Sequence, residues 1–133
     1  MVDKRRGLVL VAHGSRRESS NEEVRRVAQQ LAEQSGPNGS RRYEMVHAAF
    51  LELAEPLIPA GVQCCLDNGM EEVVVLPYFL SAGRHVVEDI PAEVAKVNNT
   101  TGASVRIAPY LGAAEGLSEI LLVQADLSYS SGK

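Results

Sequence analysis

The stretch LVLVAHGSR, residues 8–16, places an apolar run directly before a polar step that begins with His13. A short apolar run bounded by polar residues and Gly is typical of a strand buried on both faces. A second such run, Val73–Pro77, leads through Ser81–Arg84 to His85. Open α/β sheets bind ligands beyond the carboxyl ends of their parallel strands, so both histidines are expected at one sheet edge. Because imidazole binds metals and moves protons near neutral pH, this pair predicts metal handling.

The rest of the chain alternates strands with helices. The hydrophobic patterns predict strands at roughly 7–12, 43–50, 72–77 and 105–107. They predict helices at roughly 20–34, 54–68 and 88–98, and a last helix that carries Leu117, Ile120, Leu121 and Gln124. This order predicts a single three-layer α/β domain over residues 1–127, with a four-stranded, mainly parallel sheet and helices on both faces. Residues 128–133 are polar and are expected to form a flexible tail.

Local signals refine these helices and turns. Ser19 with Glu22, or Ser20 with Glu23, would form a capping box at the start of the first helix. The second helix tolerates its prolines only in its first turns. Residues 35–40 are rich in Gly, Ser, Asn and Pro and predict a turn.

Composition excludes several classes of function. The chain has 133 residues and a net charge of −4, which fits one domain and argues against nucleic acid as a partner. Its apolar runs are strand-sized, so no membrane span is expected, and the run behind the basic start is too short for a signal peptide. Cys64 and Cys65 are adjacent and have no other cysteine to pair with, and at least one is expected to pack as a small hydrophobe. The cytoplasm is the expected compartment.

The other titratable residues have structural as well as functional interpretations. Glu52 follows the second strand and could ligate a cation, accept a proton or steady an imidazolium, or could simply open a helix, a role for which Glu55 is a rival. His47 lies within the second strand, and a structural role is favoured. Glu88 and Asp89 are expected to be solvated acids of a first helical turn and not ligands.

Three arginines fall in the two loops that carry the histidines: Arg16, Arg17 and Arg84. On an acidic protein, such a local group of positive charges favours an anionic ligand, and Arg binds carboxylate or phosphate bidentately. The alternative is that they are ordinary solvated loop charges. Gly14 permits close backbone approach beside His13. The chain lacks the glycine-rich phosphate-binding motifs and the serine elbow, so nucleotide and hydrolase functions are set aside.

Three segments, residues 11–16, 49–56 and 77–91, resemble the small class II chelatases. These are the single-domain sirohydrochlorin chelatases of cobalamin, siroheme and nickel-tetrapyrrole synthesis. The resemblance runs from Leu8 to about Gly112. It implies ATP-independent insertion of a divalent metal into sirohydrochlorin, with Co²⁺ favoured over Ni²⁺ or Fe²⁺ and no cofactor beyond that metal substrate.

The resemblance also assigns roles to residues. It implies that His13 and His85 bind the metal, that His13 also accepts a proton, and that Glu52 is the acidic active-site residue. The substrate-binding residues expected are Arg16, Glu52, Leu80, Ser81, Ala82, Gly83, Arg84 and His85. A tetrapyrrole is broad and flat, and one sheet edge supplies one wall of a cleft, so a homodimer with these loops facing the cleft is expected.

Two other functions remain open at this point. The same cleft could serve a non-enzymatic carrier of metal or tetrapyrrole. It could also be an anion-binding module in which the histidines are incidental, and binding of metal would argue against that.

Overall fold

The fold is built on a parallel sheet of four strands in the order β2-β1-β3-β4. The computed structural model describes residues 4–34 and 42–130. Its strands are β1 (Arg6–Ala12), β2 (Met45–Phe50), β3 (Glu72–Pro77) and β4 (Ser104–Ile107). Its α-helices are α1 (Glu18–Glu33), α2 (Ile58–Asp67), α3 (Ile90–Val94) and α4 (Leu117–Ser130). A π-helical turn, His85–Asp89, precedes α3, and a 3-10 turn, Leu111–Ala113, precedes α4.

The central strand β1 explains why the opening apolar run determines the fold. Residues 8–12 of this strand are each no more than 7% exposed, because helices pack on both faces of the sheet. On one face, Val9 and Val11 pack with residues of α2 and α3, including Val62 and Ile90. On the other face, α1 covers β1 and β2. Full burial of each Val or Leu contributes about 1.5–3 kcal/mol, which makes this strand the centre of the core.

The predicted α/β class and the parallel sheet are confirmed, and the differences lie at helix ends. The helix predicted at 54–68 is shorter, because residues 54–57 are not helical and Leu57 instead bridges to Phe50. Pro59 then lies in the first turn of α2, where a missing N–H costs nothing. The helix predicted at 88–98 is the π-helical turn followed by the short α3.

The predicted capping boxes at Ser19 and Ser20 are wrong. Helix α1 begins at Glu18, and no side-chain hydrogen bond caps its first turn. The turn predicted at 35–40 lies outside the described residues. Helix α4 continues through Ser130, past residue 127 where the domain was expected to end, and residues 131–133 lie outside the described part.

His47 has the structural role that was favoured. Its Nε2 lies 2.8 Å from the carbonyl oxygen of Gly61 in α2, so the ring donates to that carbonyl and joins β2 to the helix. A side chain at Gly61 would have its Cβ 2.9 Å from the Cβ of Ala49. The glycine therefore allows α2 to lie directly on β2.

Among residues 4–34 and 42–130, no helix has the length and apolar character needed to cross a membrane.

The two cysteines differ in environment, which gives a simple chemical test of the fold. Cys64 is exposed, whereas Cys65 is buried and desolvation raises its pKa to about 12. Because the thiolate is the nucleophile, iodoacetamide at about pH 8 should alkylate Cys64 in the native protein and reach Cys65 only after unfolding. Mass spectrometry of peptides after a timed quench measures this. Equal labelling of both thiols in the folded chain would contradict the packing of α2.

Candidate active site

The strand register brings the ends of three strands to one level at the carboxyl edge of the sheet. Ala12 pairs with Phe50, and Val11 pairs with Pro77. The residues that leave these strands are therefore neighbours, with His13 after β1 and Glu52 two residues after β2. The strand order changes direction between β1 and β3, and this is the position where open parallel sheets bind ligands.

The backbone around Gly14 holds His13 beside Glu52. The N–H of Glu52 donates to the carbonyl of His13 at 3.1 Å, which continues the β1–β2 ladder past the strand ends. Gly14 has a φ of +96°, and a Cβ on this residue would lie 1.8 Å from the carbonyl oxygen of Glu52. Glycine is thus required here both by backbone conformation and by the space that Glu52 occupies.

The hydrogen bonds of His13 define which ring nitrogen is available. Its Nδ1 lies 3.0 Å from the carbonyl oxygen of Gly14, and since a carbonyl only accepts, Nδ1 is the donor. In a neutral ring, Nε2 then carries the lone pair, and it lies 3.2 Å from Oε2 of Glu52. Two acceptors at this distance require a proton or a cation between them. The His13 and Glu52 side chains are 42% and 57% exposed, so the pair is open to an incoming ligand.

His85 lies against His13 and has a partner of its own. The two imidazole ring centres are 4.7 Å apart at an interplanar angle of 69°. His85 is the first residue of the π-helical turn, so it lies at a helix start and not in the open loop expected from the sequence. Its Nδ1 donates to Oδ2 of Asp89 at 2.8 Å, which leaves Nε2 unprotonated in the neutral ring.

This contact corrects the prediction for Asp89. The residue was expected to be a solvated first-turn acid, yet its carboxylate orients His85 across one turn of helix. Glu88, in contrast, forms an exposed ion pair with Arg84 at 3.4 Å. In the described part of the chain, no group of three or more His, Cys, Asp or Glu is arranged to hold a metal ion. The three site residues meet pairwise, through His13.

The predicted substrate-binding residues surround this cluster as an exposed rim. Residues 80–84 are all exposed, with Leu80 at 69%, and Arg16 is exposed on the loop that follows β1. The 3-10 turn fixes one end of this loop, because Gly112 donates its N–H to the carbonyl of Phe79 at 3.0 Å. A Cβ on Gly112 would lie 1.9 Å from the carbonyl oxygen of Leu80, so a larger residue there would displace the loop.

Two cavities in the described part of the chain lie elsewhere. One of about 500 Å³ lies beside β2, between residues of α1 and α2, and includes Ala28 and Cys64. Another of about 530 Å³ is lined by Glu55, Pro56, Leu57 and Ala60. Neither includes His13 or His85. The side chains of His13 and His85 are 42% and 46% exposed, so the pair is open to a ligand.

Comparison with known proteins identifies the family of this chain. The family model described as CbiX matches residues 7–126. The chain belongs to the CbiX family. The sirohydrochlorin cobaltochelatase of Sulfolobus acidocaldarius is 30% identical over 124 residues, which cover 93% of this chain and 93% of that protein. The chloroplastic sirohydrochlorin ferrochelatase of Arabidopsis thaliana is 35% identical over 129 residues, which cover 95% of this chain.

Solved structures of the same fold support the topology. A putative cobalamin biosynthesis CbiX protein from Marinobacter aquaeolei has a TM-score of 0.68 at 28% identity, covering 93% of this chain and 98% of that one. SirB from Bacillus subtilis with Fe³⁺ has a TM-score of 0.74 at 24% identity and covers 92% of this chain and 46% of SirB, which is a likeness of fold alone. The chain spans about half of some longer relatives, with 55% of the Arabidopsis protein and 54% of a Methanopyrus kandleri cobaltochelatase matched.

Within this family fold, sequence reasoning missed three positioning residues: Asn21, Asp89 and Gly112. Asn21 is 3% exposed and holds the loop after His13 through both of its side-chain atoms. It accepts from the Ser15 N–H at 2.9 Å and donates to the Ser15 carbonyl at 2.8 Å. The sequence signal for Asn21 was a polar residue within a helical pattern. A buried Asn needs hydrogen-bond partners, so it is expected to hold a neighbouring segment.

We expect Asp89→Ala to weaken Co²⁺ binding on the order of tenfold, because a carboxylate behind a ligating histidine fixes its tautomer and orientation. Asp89→Asn should recover part of the loss, since its amide oxygen can still accept from Nδ1. Visible absorption of bound Co²⁺ during titration measures the affinity. Glu88→Gln, in the same turn, is the matched control and should bind as the unaltered chain does. Unchanged Co²⁺ affinity in Asp89→Ala would show that His85 is not oriented in this way.

Proposed function

We propose that this chain inserts a divalent metal ion into sirohydrochlorin without ATP. The observation that carries the proposal is the approach of His13 Nε2 to Glu52 Oε2 at 3.2 Å while Nδ1 of the same ring donates to Gly14. This pair presents a lone pair and a negative charge to the same small volume beside His85. The CbiX membership, and relatives named sirohydrochlorin cobaltochelatase and ferrochelatase, support the same reaction.

The reaction releases protons, and the exposed imidazole and carboxylate can accept them. Insertion forms metal–nitrogen bonds and releases two pyrrole N–H protons from the macrocycle. His13 Nε2, the ring nitrogen that Gly14 leaves unbonded, can take up these two protons one after the other and pass each to solvent, and Glu52 can stabilise the imidazolium that forms each time. Both side chains are partly exposed, so protons can pass on to solvent.

The ligand set suits a metal that is held and then released. Two imidazoles and one carboxylate form a borderline and incomplete set, which binds Co²⁺, Ni²⁺ or Fe²⁺ and leaves positions for the macrocycle nitrogens. We propose Co²⁺ as the favoured ion, with Ni²⁺ or Fe²⁺ as alternatives. The reaction as proposed needs no cofactor besides the metal substrate. Since the chain lacks a nucleotide motif, metal transfer is driven by coordination to the tetrapyrrole.

The rim supplies recognition of an anionic substrate. Arg16 and Arg84 are exposed beside the histidines, and the carboxylates of sirohydrochlorin can pair with their guanidinium groups. The exposed Leu80 adds an apolar surface on which a macrocycle can lie. Electrostatic attraction to these loops overcomes the net charge of −4.

We further propose that the working form is a homodimer in which two such surfaces face one another. His13 and His85 are partly exposed on one edge of the sheet, whereas a tetrapyrrole site normally encloses most of its ligand, so a second surface is needed to close the site. The matched region covers 55% of the Arabidopsis relative and 46% of SirB, so two copies of this chain approach the length of either protein. The cytoplasm is the compartment we propose, supported by two unpaired cysteines.

We expect His13→Ala and His85→Ala each to lower the insertion rate by about 100-fold or more, since acid–base groups contribute at least that factor. Glu52→Gln should cause a smaller loss, because it keeps the shape and removes the charge. Both histidines lie on the exposed edge, so thermal unfolding should change little. The loss of metal-free sirohydrochlorin absorbance, with protein far below substrate concentration, measures insertion. Glu55→Gln is the control.

The outcomes separate the alternatives. Metal binding without catalytic turnover would favour a carrier, and no metal binding at stoichiometric protein would favour an anion-binding module. Near-normal turnover in either histidine variant would overturn the two-histidine site. Normal kinetics in Glu52→Gln together with a loss of activity in Glu55→Gln would show that Glu55, and not Glu52, is the active-site carboxylate.

A further inference from the structure

Leu53 has a backbone conformation that is unusual for its residue type. Among residues 4–34 and 42–130, it is the only residue other than glycine with a positive φ, at +67°. This left-handed conformation brings the Cβ of an L residue too close to the following carbonyl oxygen, so glycine, asparagine or aspartate usually occupies it. Residues held in such conformations are concentrated at functional sites, where the surrounding structure maintains them. The presence of a leucine at this position therefore requires a physical reason.

Backbone hydrogen bonds on both sides of Leu53 require the chain to reverse there. The Glu52 N–H donates to the His13 carbonyl at 3.1 Å, so the chain follows β1 as far as residue 52. By Pro56 the chain has returned, because the Pro56 carbonyl accepts from the Phe50 N–H at 2.9 Å. A left-handed residue directly after Glu52 begins this reversal. The backbone thus needs a positive φ at position 53, but it does not need a leucine side chain.

The hydrophobic core does not account for the leucine either. The Leu53 side chain is 50% exposed, and among the described residues it packs against neither buried cluster. Its neighbours Leu51 and Ala54 each pack against one of these clusters. An asparagine at position 53 would adopt the same backbone with less strain and without loss of a core contact. An apolar contact that forms only when a ligand binds explains why the chain has leucine here.

The strand order places Leu53 across the histidine edge from Leu80. Leu53 comes three residues after the end of β2, and Leu80 comes three residues after the end of β3. Strand β1 lies between these two strands and pairs with both. Since neighbouring strands are about 4.8 Å apart, β2 and β3 are about 10 Å apart, with the end of β1 and His13 between them. Two exposed leucines therefore flank the histidine that follows the central strand.

We infer that Leu53 is a substrate-binding residue that contacts one side of the tetrapyrrole macrocycle while Leu80 contacts the opposite side. The inference rests on the proposed function, because that function names the tetrapyrrole as the ligand. A flat macrocycle supported on both sides has its central nitrogens over His13, where protons leave and the metal enters. The leucines contact the apolar ring, and Arg16 and Arg84 pair with the carboxylates at its periphery.

Titration of the full chain with metal-free sirohydrochlorin, followed by absorbance, tests this contact without requiring metal insertion. We expect Leu53→Asn to raise the Kd about tenfold, because apolar surface of the ligand is no longer covered by a leucine side chain. The loss should be the same at low and at high salt, since the contact is not electrostatic. Leu53→Met keeps an apolar side chain of similar volume and should retain most of the affinity.

The matched control is Leu57→Asn, the same substitution at a leucine that is 43% exposed. Leu57 is the residue that precedes the first turn of α2, where asparagine is a favourable cap. This variant should bind sirohydrochlorin as the unaltered chain does. A loss of affinity in Leu57→Asn equal to that in Leu53→Asn would overturn the inference, because the effect would then not be specific to position 53.

Thermal unfolding and Co²⁺ titration separate substrate binding from a structural role. Leu53→Asn should raise the midpoint temperature by roughly 3–6 °C, because asparagine relieves the left-handed strain. Its Co²⁺ affinity should be unchanged, since His13, His85 and Glu52 are intact. An unchanged Kd for sirohydrochlorin in Leu53→Asn, or a lower midpoint temperature that Leu53→Met restores, would overturn the inference.

Insertion assays on the unaltered chain report separately on the proposed function. Binding of sirohydrochlorin without catalytic turnover would contradict metal insertion, and a weaker Kd in Leu53→Asn would still support the contact. Absence of sirohydrochlorin binding by the unaltered chain would overturn both.

Discussion

The close approach of two backbone segments at Gly14 and Glu52 is the constraint on which the site depends. The hydrogen bond from the Glu52 N–H to the His13 carbonyl extends the parallel ladder beyond β1 and β2. The carbonyl of Glu52 occupies the space that any side chain at position 14 would need. This contact places an imidazole and a carboxylate side by side at the sheet edge, and it does so with backbone atoms that cannot rearrange as side chains can.

The same arrangement fixes how the histidines present their nitrogens. Gly14 accepts from Nδ1 of His13, and Asp89 accepts from Nδ1 of His85, so that Nε2 is the nitrogen that each ring offers to a proton or a cation. The π-helical turn supports the second of these bonds, because it brings residue 89 back beneath residue 85 within one turn. Because each ring is already held in position, its side chain loses less conformational freedom when a metal binds.

Much of this could be predicted from the sequence, and the exceptions have physical causes. The apolar run LVLVA identifies the central strand, and a residue directly after a buried parallel strand must lie at the carboxyl edge, which places His13 and Glu52. Asp89 was missed because the helix was predicted to begin at residue 88, which left His85 outside it, whereas the helical turn begins at His85 and residues four apart on one turn are neighbours. Gly112 was missed because it contacts Phe79 and Leu80, which are distant in sequence, and local patterns do not reveal such contacts. The second helix was predicted to begin at residue 54 but begins at Ile58, because Leu57 pairs with Phe50 after the strand has ended.

The described chain presents His13, His85 and Glu52 together on one exposed edge of the sheet. The proposed metal insertion depends on the backbone geometry at Gly14, which places His13 beside Glu52. The most direct measurement is the kcat of sirohydrochlorin metallation by Gly14→Ala, compared with Gly116→Ala, where an added Cβ meets no atom within 4 Å. The account predicts a loss of about 100-fold for Gly14→Ala, the scale of an ångström-sized misplacement, and a normal rate for Gly116→Ala. A normal kcat in folded Gly14→Ala would contradict it.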